Sequence, residues 1–123
     1  GNLVQARELL DRAYEMDPRT PLTEVFYGDL MAQGEGWLEA LHHYQRAVVL
    51  NPRSCIAHAS LAKAYESIQE RGKSYYELAL SDQCAGRYLK AVYYFQKALK
   101  YLDKEGSEAK LARAELESMG IEE

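Results

Sequence analysis

The sequence predicts an all-α protein: a solenoid of antiparallel helix pairs, about seven helices long. Three observations predict it. First, residue types recur at a spacing of 34: Leu3 with Trp37, Ala6 with Ala40, Leu10 with Tyr44, Ala13 with Ala47 and Pro18 with Pro52. A second phase has the same period, Gly28 with Ala62 and Met31 with Tyr65. A fixed period in this range marks stacked supersecondary units. Second, the local apolar periodicity is helical. Tyr88, Ala91, Val92, Phe95, Ala98, Leu99 and Leu102 form one stripe, with Lys90, Lys97, Lys100 and Lys104 on the other side. Third, no stretch alternates with period 2 for long enough to compete as a strand.

Proline and glycine punctuate the elements, because proline cannot donate within a helix and glycine favours turns. Helix 2–16 carries Leu3, Leu9, Leu10 and Tyr14 and stops before Pro18. Helix 21–33 starts at Pro21, contains YGDLM (27–31) and ends at Gly34 and Gly36. Helix 37–50 lies within GWLEALHHYQRAVVLNP and ends at Asn51–Pro52. Helix 54–70 holds LAKAY (61–65), and Gly72 separates it from helix 73–84, which holds LALSD. Gly86 precedes helix 87–102 and Gly106 precedes helix 107–119. The last helix reads as a polar cap, with Glu108, Lys110, Arg113, Glu115 and Glu117 around Leu111, Ala112, Leu116 and Met119.

With 123 residues the chain reads as one domain, large enough to bury roughly two-thirds of its unfolded surface. Apolar residues at 47% and charged residues at 28% exclude a disordered composition. No run of 18 apolar residues exists, so membrane insertion is not expected. The formal net charge of −4 argues against nucleic acid as a partner, which needs a basic face. Charge is uneven. Residues 1–50 hold eight acidic and four basic side chains, whereas 86–104 carry Arg87, Lys90, Lys97, Lys100 and Lys104 against Asp103. Ten tyrosines accompany only two phenylalanines. No targeting motif is visible, and a chain that starts at Gly1 rather than Met is expected to be a piece of a longer protein. Nothing fixes the compartment; a cytoplasmic setting is preferred to a periplasmic one.

Residues able to carry chemistry do not assemble into a motif. His42 and His43 are adjacent, so on a helix they point about 100° apart and cannot share an ion. They and His58 read as surface or interface histidines. Cys55 and Cys84 read as free, partly buried thiols. No nucleophile elbow, zinc-protease helix or phosphate-cradling glycine loop is present, so no enzyme activity, cofactor or metal is expected. Tyr75–Tyr76 and Tyr93–Tyr94 offer stacking surfaces for bases, but read as pairs with one core and one surface member.

YGDLM and LAKAY, followed by GWLEALHHYQRAVVLNP and GRYLKAVYYFQKAL, resemble the first- and second-helix signatures of the tetratricopeptide repeat family. The small residues Gly28, Ala40, Ala47, Ala62, Ala91 and Ala98 stand where helices cross closely, and a larger side chain would overpack by about 1–3 kcal/mol. The resemblance implies about three repeats in a right-handed superhelix. It implies a concave peptide groove lined by Leu22, Val25 and Asp29, by Ile56, Ala59 and Lys63, and by Tyr76 and Leu80 if that face stays open. Members that clamp acidic chaperone tails use Lys and Asn where Val25 and Asp29 stand, so that specificity is not expected. The implied function is a scaffold that binds a protein or peptide. LAKAYES, YYELAL, GRYLKAVYYFQKAL and AKLARAEL are also similar to the repeat tail of zinc metallopeptidases that handle envelope proteins, and small repeat domains serve as secretion or pilus assembly chaperones; both are alternative roles.

One departure breaks the period. Ala40 to Ala91 is 51 residues, one and a half repeats, and Ala62 to Ala79 is 17. A half-repeat phase break therefore falls near residue 72. Helix 73–84 is expected in the partner slot of helix 54–70, which puts helix 87–102 in a first-helix slot. A longer loop restoring the phase is the other solution. At the N-terminal end, helix 2–16 lacks a first-helix partner, so exposed apolar surface and self-association through it are expected.

Overall fold

The computed structural model of the chain describes residues 2–16 and 20–122. Seven helices and no strand occur among the described residues: α1 (Asn2–Met16), α2 (Pro21–Gln33), α3 (Trp37–Leu50), α4 (Cys55–Ser67), α5 (Arg71–Cys84), α6 (Tyr88–Tyr101) and α7 (Ser107–Ser118). Consecutive helices pack on one another, as in an all-α helical-repeat solenoid.

Side chains start two of the helices. The Thr20 hydroxyl accepts from the Thr23 amide at 3.0 Å, with Pro21 at the first helical position. The Ser54 hydroxyl accepts from the Ala57 amide at 3.1 Å. The helix ends fall into two kinds. After α2, α4, α5 and α7 the chain passes through a left-handed residue: Glu35 (φ 63°), Gln69 (φ 64°), Gly86 (φ 81°) and Gly120 (φ 77°). The next amide then bonds back five residues, Gly36 to Met31, Glu70 to Tyr65, Arg87 to Asp82 and Ile121 to Leu116, at 2.8–2.9 Å. By contrast, α3 and α6 end on extended residues, Asn51 and Leu102. The backbone thus marks α2, α4, α5 and α7 as one class and α3 and α6 as another.

Helix contacts agree with that sorting. The closest hairpins are α2–α3, α4–α5 and α5–α6. Helix α2 also touches α4, and α5 touches α7, but among the described residues α4 does not touch α6. So α5 does pair with α4, yet α6 does not move into a first-helix slot. It packs on α5 as α3 packs on α2. The physical reason is that α5 is buried on two faces, with Ser74, Glu77 and Ser81 on one and Gly72, Ala79 and Asp82 on the other.

Two apolar cores result. Val25, Ala40, Tyr44, Ala47, Ala57, Leu61 and Ala64 form one, from α2, α3 and α4. Ala79, Ala91, Phe95, Ala112 and Leu116 form the other, from α5, α6 and α7. Between them the α4–α5 seam is polar. Ser74 Oγ donates to the Ala62 carbonyl at 2.8 Å and Ser81 Oγ to the Cys55 carbonyl at 3.3 Å. These serines stand 34 residues after Ala40 and Ala47.

The two cysteines are not free thiols. Cys55 and Cys84 form a disulfide with their Cα atoms 5.5 Å apart, a normal bridging distance. The antiparallel α4–α5 hairpin brings the start of one helix beside the end of the other, which a spacing of 29 residues does not announce by itself.

His58 is buried in the same seam. Its Nε2 donates to the Pro52 carbonyl at 2.6 Å, and its Nδ1 lies 2.6 Å from Glu77 Oε2. The Pro52 carbonyl can only accept, and a Glu77 carboxylate accepts as well, so the arrangement favours the doubly protonated ring. Burial works against that charge, but the Glu77 hydrogen bond, the Pro52 carbonyl and the Glu77 charge outweigh it and hold His58 above its ordinary pKa. The preceding hairpin has the counterpart with the roles exchanged: Glu24, 1% exposed, accepts from His43 Nδ1 at 2.7 Å. Glu24 to His58 and His43 to Glu77 are each 34 residues. His42, in contrast, is exposed.

At the N-terminal end, Tyr27 of α2 donates to the Asp11 carboxylate of α1. Val4 and Leu9 are exposed on α1. The side chains of Leu3, Leu10 and Tyr14 lie outside the described residues.

Candidate functional site

The expected groove residues separate into three groups. Asp29 of α2 and Ala59 and Lys63 of α4 come together in a cleft of about 570 Å³, which also takes in Trp37 and Tyr44 of α3. Leu22 and Ile56, at the starts of α2 and α4, are 55% and 61% exposed and lie beyond the cleft lining. Of the remaining three, Val25 is a core residue, which corrects the expectation for it, and Tyr76 and Leu80 are partly buried against the second core, so the open face on which their place in a groove depended is absent. Val25 is 3% exposed and clusters with Ala57 and Leu61, because α3 and α4 both close over α2 at that level. Tyr76 packs its ring against Phe95, with centroids 6.1 Å apart. Leu80 packs on the second core. Helices α6 and α7 close the face of α5 that a groove would need.

The cleft is built from the crossing of α2 and α3. Gly28 has no side chain, and the Tyr44 ring lies directly over it; a Cβ at Gly28 would stand 2.3 Å from Tyr44 Cε1. The ring is fixed at its far end, where Tyr44 OH donates to Asp29 Oδ1 at 2.6 Å. Burial, then the Asp29 hydrogen bond and charge, push the Tyr44 phenol far above its ordinary value, so the hydroxyl remains a donor. Tyr76 is likewise pushed up to about 12, by burial first and then by the charges of Glu77, Glu115 and Glu108.

Sequence reasoning missed Ala32, Gln33, Trp37, Tyr44 and Ser60 as lining residues. Part of that signal was present: Ala32 and Gln33 lie three and four residues after Asp29, on the same helix face. The participation of α3 was not legible, since the groove that the resemblance implies is lined by first helices alone. Chemically the cleft offers two aromatic edges, a small floor at Ala59, and one charge of each sign at Asp29 and Lys63. That suits a side chain of an extended or helical segment, with polar groups at the rim. Among the described residues, no group of three or more His, Cys, Asp or Glu is placed to hold a metal ion, and no helix is long and apolar enough to cross a membrane.

No protein-family profile matches the chain. A short part of it has a relative. Over 45 residues, 37% of the chain, it is 38% identical to the transcription factor tau subunit sfc4 of Schizosaccharomyces pombe. The matched part spans 4% of that protein's length. The likeness is therefore to a small segment of a far longer subunit.

Proposed function

We propose that the chain is a tetratricopeptide-type interaction module that holds a segment of a partner protein in the α2–α4 cleft and catalyses nothing. The observation that carries this reading is the cleft itself: Asp29, Ala59 and Lys63 meet beside Trp37 and Tyr44 at the mouth of a close helix crossing. The 34-residue spacings, the antiparallel hairpins and the repeated left-handed turns support the repeat assignment. A likeness to a subunit of a transcription factor fits a module that works inside a multiprotein assembly. The net charge of −4 favours protein over nucleic acid as the partner. The exposed Val4 and Leu9 on α1 offer a surface for a second copy.

The test is a displayed peptide library panned against the chain, with enriched peptides then measured on Ala59→Glu and Lys63→Glu. Both positions are exposed, so melting should not change, while binding should weaken by more than about 1 kcal/mol. Ile56→Glu serves as the stability control. Ile56 is 61% exposed and belongs to neither core cluster, so its replacement should leave the melting temperature unchanged. Enriched peptides that bind all variants equally, or a library that enriches nothing, would overturn the reading.

A further inference from the structure

A second surface, independent of the α2–α4 cleft, lies at the other end of the array. A cleft of about 950 Å³ between α6 and α7 is lined by Lys97, Lys100, Lys104 and Arg113, together with Tyr93. No carboxylate is among the described residues that line it. Among the described residues none of the four cations forms an ion pair. Four unpaired cations on one face run against a chain whose net charge is −4.

Two of the cations are held in place. Lys97 Nζ donates to Tyr93 OH at 3.1 Å and sits 5.1 Å and 5.3 Å from the ring centroids of Tyr75 and Tyr93. The Arg113 guanidinium donates to the Lys104 carbonyl at 3.0 Å, which ties α7 to the middle of the α6–α7 loop. Arg113 also stands at a telling position. Gly28, Ala62 and Ala79 each lie seven residues before a left-handed turn residue, and Arg113 lies seven before Gly120. Where α2, α4 and α5 carry a small residue for a closely crossing helix, α7 carries a long cation. This face is not shaped for another helix of the array.

We propose that the α6–α7 cleft binds an acidic peptide segment of a partner protein, its carboxylates meeting Lys100, Lys104 and Arg113 and an apolar side chain lying against Tyr93. Charge complementarity carries the choice of partner. A single nucleic-acid strand fits less well, because it needs a basic track with several stacking platforms. Here the positive strip ends at α7, where a neighbouring hollow that shares Arg113 carries Glu117 and Glu122.

The test is fluorescence anisotropy with a labelled oligoglutamate peptide carrying one leucine, an oligoglutamine peptide of equal length, and oligo-dT. The glutamate peptide should bind more tightly than either, and less tightly as salt rises. Lys100→Glu/Lys104→Glu should weaken it by about tenfold. Arg46→Glu/Arg53→Glu makes the same change in net charge at exposed positions away from this cleft, and should alter binding by less than about twofold. The proposal is overturned if the glutamate and glutamine peptides bind alike, if the two double variants lose affinity equally, or if oligo-dT binds best. Ala59 and Lys63 take no part in this cleft, so failure here leaves the α2–α4 reading standing, and the reverse.

Discussion

Replacing Gly28 with alanine sets two effects of known sign against each other. Alanine is the better helix former by about 1 kcal/mol, and Gly28 lies inside α2, so propensity alone predicts stabilisation. The structure predicts the opposite. The new Cβ would lie 2.3, 2.7 and 2.9 Å from Cε1, Cδ1 and Cζ of Tyr44, whereas ordinary contact begins near 3.4 Å. The ring must therefore retreat by roughly 1 Å in a core at native density. Tyr44 is buried and its hydroxyl is tied to Asp29 at 2.6 Å, so the retreat also strains a charge-assisted hydrogen bond. Overpacking at about 1–3 kcal/mol plus part of a hydrogen bond worth about 1.5–3 kcal/mol exceeds the propensity gain. The expected net loss is about 2 kcal/mol, or roughly 8 °C in melting temperature for a chain of this size. The chain supplies its own control. The equivalent pair 51 residues later is Ala79 with Phe95, a ring against an alanine with no hydroxyl to tether it, and both sit fully buried in the second core. In a Tyr44→Phe background, Gly28→Ala should accordingly cost about 1 kcal/mol less than it does alone. Urea denaturation of the four proteins in this cycle measures the coupling. A Gly28→Ala protein more stable than the parent, or one equally destabilised in both backgrounds, would refute the reasoning.

Two further outcomes are expected from the seam. Cys84→Ser should cost about 3.6 kcal/mol, the chain entropy released by opening a 29-residue loop, and reductant should lower the parent's urea midpoint to match; two reactive thiols titrating in the native, unreduced chain would contradict the bridge. Glu77→Gln should cost about 3 kcal/mol by leaving a buried imidazolium without its counter-charge. The folded pKa of His58 is raised, so the stability from this pair is complete below about pH 6.5 and is lost as pH rises through the folded value. Urea midpoints followed from about pH 6 upward should fall in the parent and stay flatter in Glu77→Gln; parallel profiles would exclude His58 as the source.

The helices were legible because glycine, proline and a 3.6-residue stripe are local signals. The expected helix 54–70 overran its observed end at Ser67, and the reason is specific. Gln69 takes up the left-handed turn that Gly86 and Gly120 adopt elsewhere, and a non-glycine residue there gives no punctuation to read. Glu35 does the same after α2, but Gly34 and Gly36 on either side gave the end away. For the groove, the family resemblance supplied Asp29, Ala59 and Lys63, which line one cleft, whereas the burial of Val25 and the partial burial of Tyr76 and Leu80 depend on which third helix closes over each face. The disulfide and the His58–Glu77 pair were not legible, since each joins residues from two helices whose relative placement rests on the phase break.

The packing of α5 against both α4 and α6 accounts for the polar seam. Helix α5 carries two signatures at once: Ser74, Leu78 and Ser81 lie 34 residues after Ala40, Tyr44 and Ala47, while Ala79 lies 51 after Gly28. It serves as the second helix of α4 and the first helix of α6, so both faces must accept a close crossing. Small residues are needed on each. Serine satisfies that requirement on the α4 side because its hydroxyl finds a carbonyl across the crossing, as Ser74 does at Ala62 and Ser81 at Cys55, and so costs no unpaired donor. The apolar burial given up by serine in place of alanine, and by Leu78 in place of an aromatic, is offset by interactions that a regular repeat does not need. The hydrogen-bonded His58–Glu77 pair lies inside the seam, and a covalent bridge joins the start of α4 to the end of α5. Packed on both sides, α5 thus makes a polar interface with α4, and the pH-sensitive pair and the reducible bond meet at a single hairpin between two apolar cores.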